Sequence, residues 1–297
     1  MIFYYFLALL AAFSWSIASL ISTDITRTIG SIRFNRLRLI FVSIMLIGFA
    51  TIQNTWNSIN TDFLNIILLS GFIGIFLGDT FLFMALERLG PRRNNMLFSL
   101  AAPFTVILNI VVLKQTMSFV EIFGCISVFF GVVIAITYGG TKKNDHRWET
   151  IKGSLQIGIL MGVLAALCQA IGLIMMKPIL TKGADPIASA AIRTTISAFL
   201  LSLTYMSKSN LLGINVNFSL TIIIKIIISG FLGMALGMSL LLISLQKGDA
   251  GIVATLSSTS PIMILFLLWI FTKKIPSIGA WFGTIIAIFG TGLIFIN

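Results

Sequence analysis

Apolar residues run along this chain in long blocks, separated by charged breaks or breaks rich in Gly, Pro and Asn. A block of about 20 apolar residues matches a helix crossing a hydrocarbon core of about 30 Å at about 1.5 Å per residue. Ten blocks qualify: 3–22, 37–53, 65–87, 94–113, 119–138, 153–176, 187–206, 218–245, 250–271 and 278–296. They predict an all-α integral membrane protein with ten transmembrane helices. The stretch "YGGTKKNDHRWETIKG", residues 138–153, is the most polar and divides the chain almost evenly. It reads as a solvated linker, 139–152, between a first unit 1–138 and a second unit 153–297.

The two units repeat each other. "SGFIGIFLG" at 70–78 recurs as "SGFLGMALG" at 229–237, Pro103 corresponds to Pro261, and Gly124 and Gly131 correspond to Gly283 and Gly290. "LLAAFSWSIASLI" at 9–21 echoes "VLAALCQAIGLIM" at 163–175. Five helices per unit make the second copy enter the membrane from the opposite side, so the copies are inverted. Inverted repeats of this kind build secondary transporters, with the solute site near the midplane between the repeats.

Gly71, Gly74 and Gly78 share one helical face, as do Gly230, Gly233 and Gly237. Small residues on one face let helix backbones approach closely in lipid, so helix packing is the expected role. Pro103 and Pro261 fall mid-block and predict helix kinks; the carbonyls they free need polar neighbours. Ser99 and Thr105 flank the first proline, and "TLSSTS" at 255–260 precedes the second.

Composition supports the membrane reading: 58% of the 297 residues are hydrophobic and 10% charged, against about 25% charged in an ordinary soluble domain. The formal charge of +11 sits mainly in short loops, where Lys and Arg set orientation, so nucleic acid is not an expected partner. The first block lacks a basic segment before it and reads as a retained span rather than a cleaved signal. Cys125 and Cys168 lie inside apolar blocks and read as packing residues, and His146 is the one histidine. No metal or other cofactor is expected. No phosphate-binding glycine loop is present, which argues against an ATP-driven pump within this chain.

The stretch "GDTFLFMALERLGPRRNNMLFSLAAPFTVILN" at 78–109, its counterpart at 237–269, the helix count, the duplication and an arginine opening the second helix of each unit (Arg38, Arg193) resemble the EamA branch of the drug/metabolite transporter superfamily. The resemblance implies a carrier of small metabolites, often an exporter of amino acids or related compounds. It also implies a central cavity lined by the first, third and fourth helices of each repeat. Family members commonly carry "GE" after the fourth helix of a unit, whereas this chain reads "LKQT" at 113–116 and "FTKK" at 271–274. The resemblance places both termini in the cytoplasm. The loops on the N-terminal side hold four basic residues and those opposite hold fourteen, so the positive-inside rule places both termini outside. Orientation is taken from the charge count, in the cytoplasmic membrane of a bacterium.

Asp79 is the acid deep within a block. A charged Asp near the bilayer centre costs about 2.5–3.5 kcal/mol, so it should face a cavity or a partner, or be protonated. Two roles stay open: binding a cation or carrying a proton beside Phe72, Phe76 and Phe83, or hydrogen-bonding an adjacent helix. Its counterpart in the second copy is Met238. Arg38 and Arg193, read as near helix starts, could snorkel to the interface or bind a carboxylate; Lys225 reads as snorkelling. Trp15 and Gln169 occupy matching positions, with Ser14 and Cys168 beside them, and Asn109 matches an apolar Leu267. The candidate solute or proton pathway is therefore Asp79, Phe83, Ser14, Trp15, Gln169, Ser99, Asn109, Thr255, Ser258 and Arg193. Partners expected are a small solute, the lipid bilayer and, for a coupled mechanism, protons. The alternative of a membrane enzyme or lipid-handling protein lacks a converging catalytic cluster, since "KKNDHRWE" reads as a solvated loop. A receptor or scaffold lacks a loop long enough for a domain.

Overall fold

The computed structural model describes residues 2–113, 118–139, 148–206, 219–247 and 256–295. Its elements are α1 (Ile2–Ile29), α2 (Ser31–Ile52), α3 (Thr61–Gly71), α4 (Gly78–Leu89), α5 (Pro91–Phe98), α6 (Ala101–Leu113), α7 (Phe119–Thr137), α8 (Leu155–Thr181), α9 (Pro186–Met206), α10 (Leu220–Gly230), α11 (Gly237–Lys247), α12 (Ser260–Thr272) and α13 (Ile278–Phe295). Among the described residues seven helices are long and apolar enough to cross a membrane, and Ser260–Thr272 and Ile278–Ile294 are shorter apolar helices.

α1 and α2 outrun their expected limits. Ser22, Thr23 and Thr26 return their hydroxyls to carbonyls of α1 itself, to Ala18, Ser19 and Thr23 respectively, so a polar stretch stays helical. A single residue, Gly30, then turns the chain at φ 86°, a conformation that costs glycine nothing, and α2 starts at Ser31. Arg38 is consequently the eighth residue of α2, and Arg193 the eighth of α9. At about 1.5 Å per residue both lie roughly 10 Å inside their helices.

A π-helical turn, Phe72–Leu77, joins α3 to α4, and another, Phe231–Leu236, joins α10 to α11. Both fall in the duplicated glycine motif. Thr80 Oγ1 donates to the Phe76 carbonyl, and its counterpart Ser239 Oγ donates to the Ala235 carbonyl at 2.5 Å, so each widened turn keeps its backbone satisfied from within.

The prolines start helices instead of kinking them. The fourth block breaks at Ser99–Leu100, and Pro103 sits in the first turn of α6. Pro261 is the second residue of α12. In a first turn the missing N–H has no intrahelical acceptor to lose, so the residue terminates and restarts a helix without the cost of an interior kink.

The halves interlock through matching elements. α2 packs on α9, the α3–α4 span on α8, the α10–α11 span on α1, and α7 on α13. In the last pair Gly124 faces Gly290 and Gly131 faces Gly283, an antiparallel match. A methyl on Gly131 would stand 2.5 Å from the Ala287 nitrogen and 2.6 Å from the Gly283 carbonyl oxygen. The motif glycines lie against neighbouring helices as well. Gly71 abuts the Arg193 backbone, Gly230 abuts Val42 and the Arg38 side chain, Gly78 meets Cys168, and Gly237 meets the Trp15 indole; Gly233 touches Ala18.

Candidate functional site

Arg38 and Asp79 meet between α2 and α4, with Nη1 3.2 Å from Oδ2 and side chains only 6% and 14% exposed. The Arg38 guanidinium also lies 4.7 Å from the Phe83 ring centroid, and Phe34 meets Phe83 edge-on at 4.9 Å. This corrects the snorkelling expectation for Arg38. The stem cannot reach the interface from the eighth position of a helix whose start is itself covered, and an anion and an aromatic face stand beside it.

Arg193 is turned inward as well, for a different reason. Gly74 and Gly172 touch backbone to backbone, and a methyl on either would stand 3.0 Å or 3.3 Å from Arg193 Nη2. The paired glycines clear a slot across which the guanidinium lies. Its Nε is buried without a hydrogen-bond partner, and no acid lies within ion-pair distance of it among the described residues. The contrast with Arg38 follows from the duplication: Met238 and Leu242 stand where the first copy has Asp79 and Phe83.

Arg193 lines a cavity of about 90 Å³ between the halves, together with Asp79, Gln169, Ser189, Thr194 and Ser239. Its remaining wall is apolar, with Ile75, Leu173, Met176, Met234 and Met238 prominent. It runs from mid-span residues to Leu180 and Pro186 at the α8–α9 connection. Thr194 and Ser239 spend their hydroxyls on carbonyls of their own helices. Ser189, one turn before Arg193 on α9, is 1% exposed and its Oγ has no partner among the described residues. The lining comes from α2, α8, α9 and both spans that carry the π turns. The family resemblance pointed to first, third and fourth helices, yet α1, α5, α6 and α12 contribute no lining residue to this cavity.

Other candidates fall elsewhere. Ser14 Oγ donates to the Leu232 carbonyl at 2.8 Å and Trp15 Nε1 to the Gly233 carbonyl at 2.8 Å, so both serve the second π turn and lie outside the cavity. Ser99 donates to the Met96 carbonyl at the α5–α6 break. Ser258 lies in the turn before α12. Thr255 and the Asn109 side chain lie outside the described residues. Ser189 and the Gly74–Gly172 slot escaped sequence reading. A serine four residues before an intramembrane arginine was the available signal for the first; the second required knowing which helices touch.

The end of the bundle opposite the α8–α9 connection is closed by charge. Glu149 Oε2 accepts from Arg92 Nε at 2.8 Å and lies 3.8 Å from Arg93 Nη1. Arg93 Nη1 donates to the Glu149 carbonyl at 2.6 Å, Trp148 Nε1 to Asp24 at 2.7 Å, and Arg27 to the Thr150 carbonyl at 2.7 Å. Gly90, at φ 79°, approaches so closely that a methyl there would stand 1.9 Å from the Trp148 carbonyl oxygen. Residues 148–152 are thus a strap bound across α1, α4 and α5, which corrects the solvated-loop reading for that part of the linker. Residues 140–147 lie outside the described residues.

The sequence profile of the EamA-like transporter family matches residues 2–137 and again residues 156–296. Solute carrier family 35 member B1 of Xenopus tropicalis is 32% identical over 71 residues, 24% of this chain and 22% of that protein. The matched segment therefore spans about a fifth of that relative. A solved crystal structure superposes with a TM-score of 0.68 over 98% of this chain and 95% of its own, at 15% identity, a likeness of fold alone.

Proposed function

Given that the chain belongs to the EamA-like transporter family, we propose that it is a secondary carrier that exports a small organic solute, an amino acid or a related compound, from a bacterial cytoplasm by alternating access. The observation that carries this reading is the cavity between the halves, polar on one wall, apolar on the other, and flanked by a tightly strapped bundle end. In this reading the chain forms ten spans in two inverted five-helix units, 1–138 and 153–297, joined by the linker 139–152. The reciprocal contacts of Gly71 with α9 and Gly230 with α2 support it. The charge count puts both termini, and with them the α8–α9 end of the cavity, outside. The described conformation is then the releasing state of an exporter, sealed against the cytoplasm by the Arg92–Glu149 strap. A reporter fused to the C-terminus that is active only in the cytoplasm overturns the orientation.

A metabolite-wide efflux comparison between cells overproducing the protein and an empty control tests the reading. One class of small solute should accumulate outside the overproducing cells and saturate with internal concentration. Identical profiles, with the protein present in the membrane, refute it.

A further inference from the structure

The cavity is lined by two buried polar atoms without a hydrogen-bond partner among the described residues and by the half-buried Gln169 amide, all on the second half. Arg193 Nε and Ser189 Oγ are the two buried, unbonded atoms, and the Gln169 amide lines the same cavity beside them. Buried polar groups are nearly always paired, so two orphans on one cavity wall point to a partner from outside the chain. Guanidinium N–H groups can only donate, hydroxyl and amide can both donate, and the shared requirement is an acceptor.

Formal charge narrows the acceptor. Asp79 is held by Arg38 at 3.2 Å and also attracts Arg193 across the cavity, so one carboxylate is shared by two guanidinium groups and the site keeps a net charge of +1 on the Arg193 side. A buried guanidinium in a span is costly when unpaired, and its planar fork matches two oxygens of one oxyanion. We infer that Arg193, Gln169 and Ser189 form a seat for an oxyanion, and that the transported solute carries a net negative charge on a carboxylate or a phosphate monoester. The Gly74–Gly172 contact holds the fork in place, because it admits the flat guanidinium and leaves no room for a methyl beside Nη2. The Met- and Leu-lined wall opposite takes the uncharged end of the solute. This deepens the carrier reading and rests on it: among amino acids it selects acidic ones over neutral ones.

The test uses the full-length protein in proteoliposomes, with labelled probes of five kinds: lactate as carboxylate, glycerol 3-phosphate as phosphate monoester, glutamate as acidic amino acid, alanine as zwitterion and agmatine as cation. Saturable uptake is expected for one or more of the three anions and not for alanine or agmatine; the lactate and glycerol 3-phosphate arms separate carboxylate from phosphate. Arg193→Gln should weaken half-saturation for the transported anion by about ten- to a hundred-fold, the loss expected of a charged hydrogen bond. Arg193→Lys should recover part of it, and Gln169→Leu should cost less. Size-exclusion elution of each variant at the wild-type volume shows that it folds. Uptake confined to alanine or agmatine, or an Arg193→Gln variant that carries the anion as the wild type does, overturns the seat and leaves the carrier reading standing. No uptake of any probe overturns both.

Discussion

Replacing Asp79 by Asn keeps the side-chain shape and removes its charge, so it isolates what the carboxylate does for Arg38. The pair sits at 3.2 Å with 6% and 14% of its side chains exposed, and the guanidinium has the Phe83 face on another side and, among the described residues, no second acid within ion-pair distance. Breaking a buried pair from one side leaves the other charge desolvated and uncompensated, at a cost of about 3–5 kcal/mol. The Asn carbonyl can still accept from Nη1, which points to about 3 kcal/mol. Removing both charges, Asp79→Asn with Arg38→Met, leaves no stranded ion and should cost much less than the Asp79→Asn variant alone. The double-mutant cycle should therefore return a coupling of at least about 2 kcal/mol. Denaturant unfolding of the purified full-length protein in bicelles measures all four corners. An Asp79→Asn variant within about 0.5 kcal/mol of wild type, or a double variant destabilised by the sum of the singles, refutes the buried-pair argument.

Other consequences follow from the same contacts. If Asp79 carries the coupling proton, Asp79→Asn abolishes gradient-driven accumulation in proteoliposomes and spares counterflow exchange; unchanged accumulation sinks that role. Gly131→Ala places a methyl 2.5 Å from the Ala287 nitrogen, a backbone atom that cannot rotate away, and should cost about 1–3 kcal/mol of unfolding free energy. Gly48→Ala, the same change where nothing lies within 4 Å, should be neutral or stabilise by up to about 1 kcal/mol, and equal effects at the two sites would refute the close-contact argument. Glu149→Gln loosens the strap on Arg92 and Arg93 and should speed labelling of a cysteine introduced at Asn95 by a membrane-impermeant maleimide several-fold; an unchanged rate would separate the strap from the seal.

The membrane class and the glycine contacts were legible because both are written in residue type: long apolar blocks have one cheap solution in lipid, and matched glycines mark where backbones touch. Asp79 stood out for the same reason. What stayed hidden depends on which helices meet. The π turns carry no distinctive hydrophobic period, since the glycine motif reads equally well as ordinary helix. Arg38 looked like an interface anchor because α2 was expected to start at 37; Ser22, Thr23 and Thr26 bond within α1, the helix runs on to Ile29, α2 starts at Ser31, and Arg38 ends up two turns deep. Trp148 and Glu149 sit in the most polar stretch of the chain, and only their partners on α1 and α5 reveal a clamp.

The placement of the cavity follows from a single unequal pair. Trp15 and Gln169 occupy matching positions in the first helices of the two copies; Trp15 meets the glycine motif of the other half, and Gln169 lines the cavity. On the α1 side the indole presses on Gly237, where a methyl would stand 2.5 Å from Nε1, and its N–H is spent on the Gly233 carbonyl. That side is filled and satisfied. On the α8 side a methyl on Gly78 would stand 3.3 Å from the Cys168 Cβ, and the shorter Gln169 lines the cavity beside the π turn. Two further inequalities fall on the same side: Met238 in place of Asp79 strands Arg193, and Ser189 stands unpaired a turn away. Duplication thus supplied two equivalent clefts. Substitution plugged one with tryptophan and an internal ion pair, and left the other open with its donors free, which is the asymmetry that recognition of a solute requires.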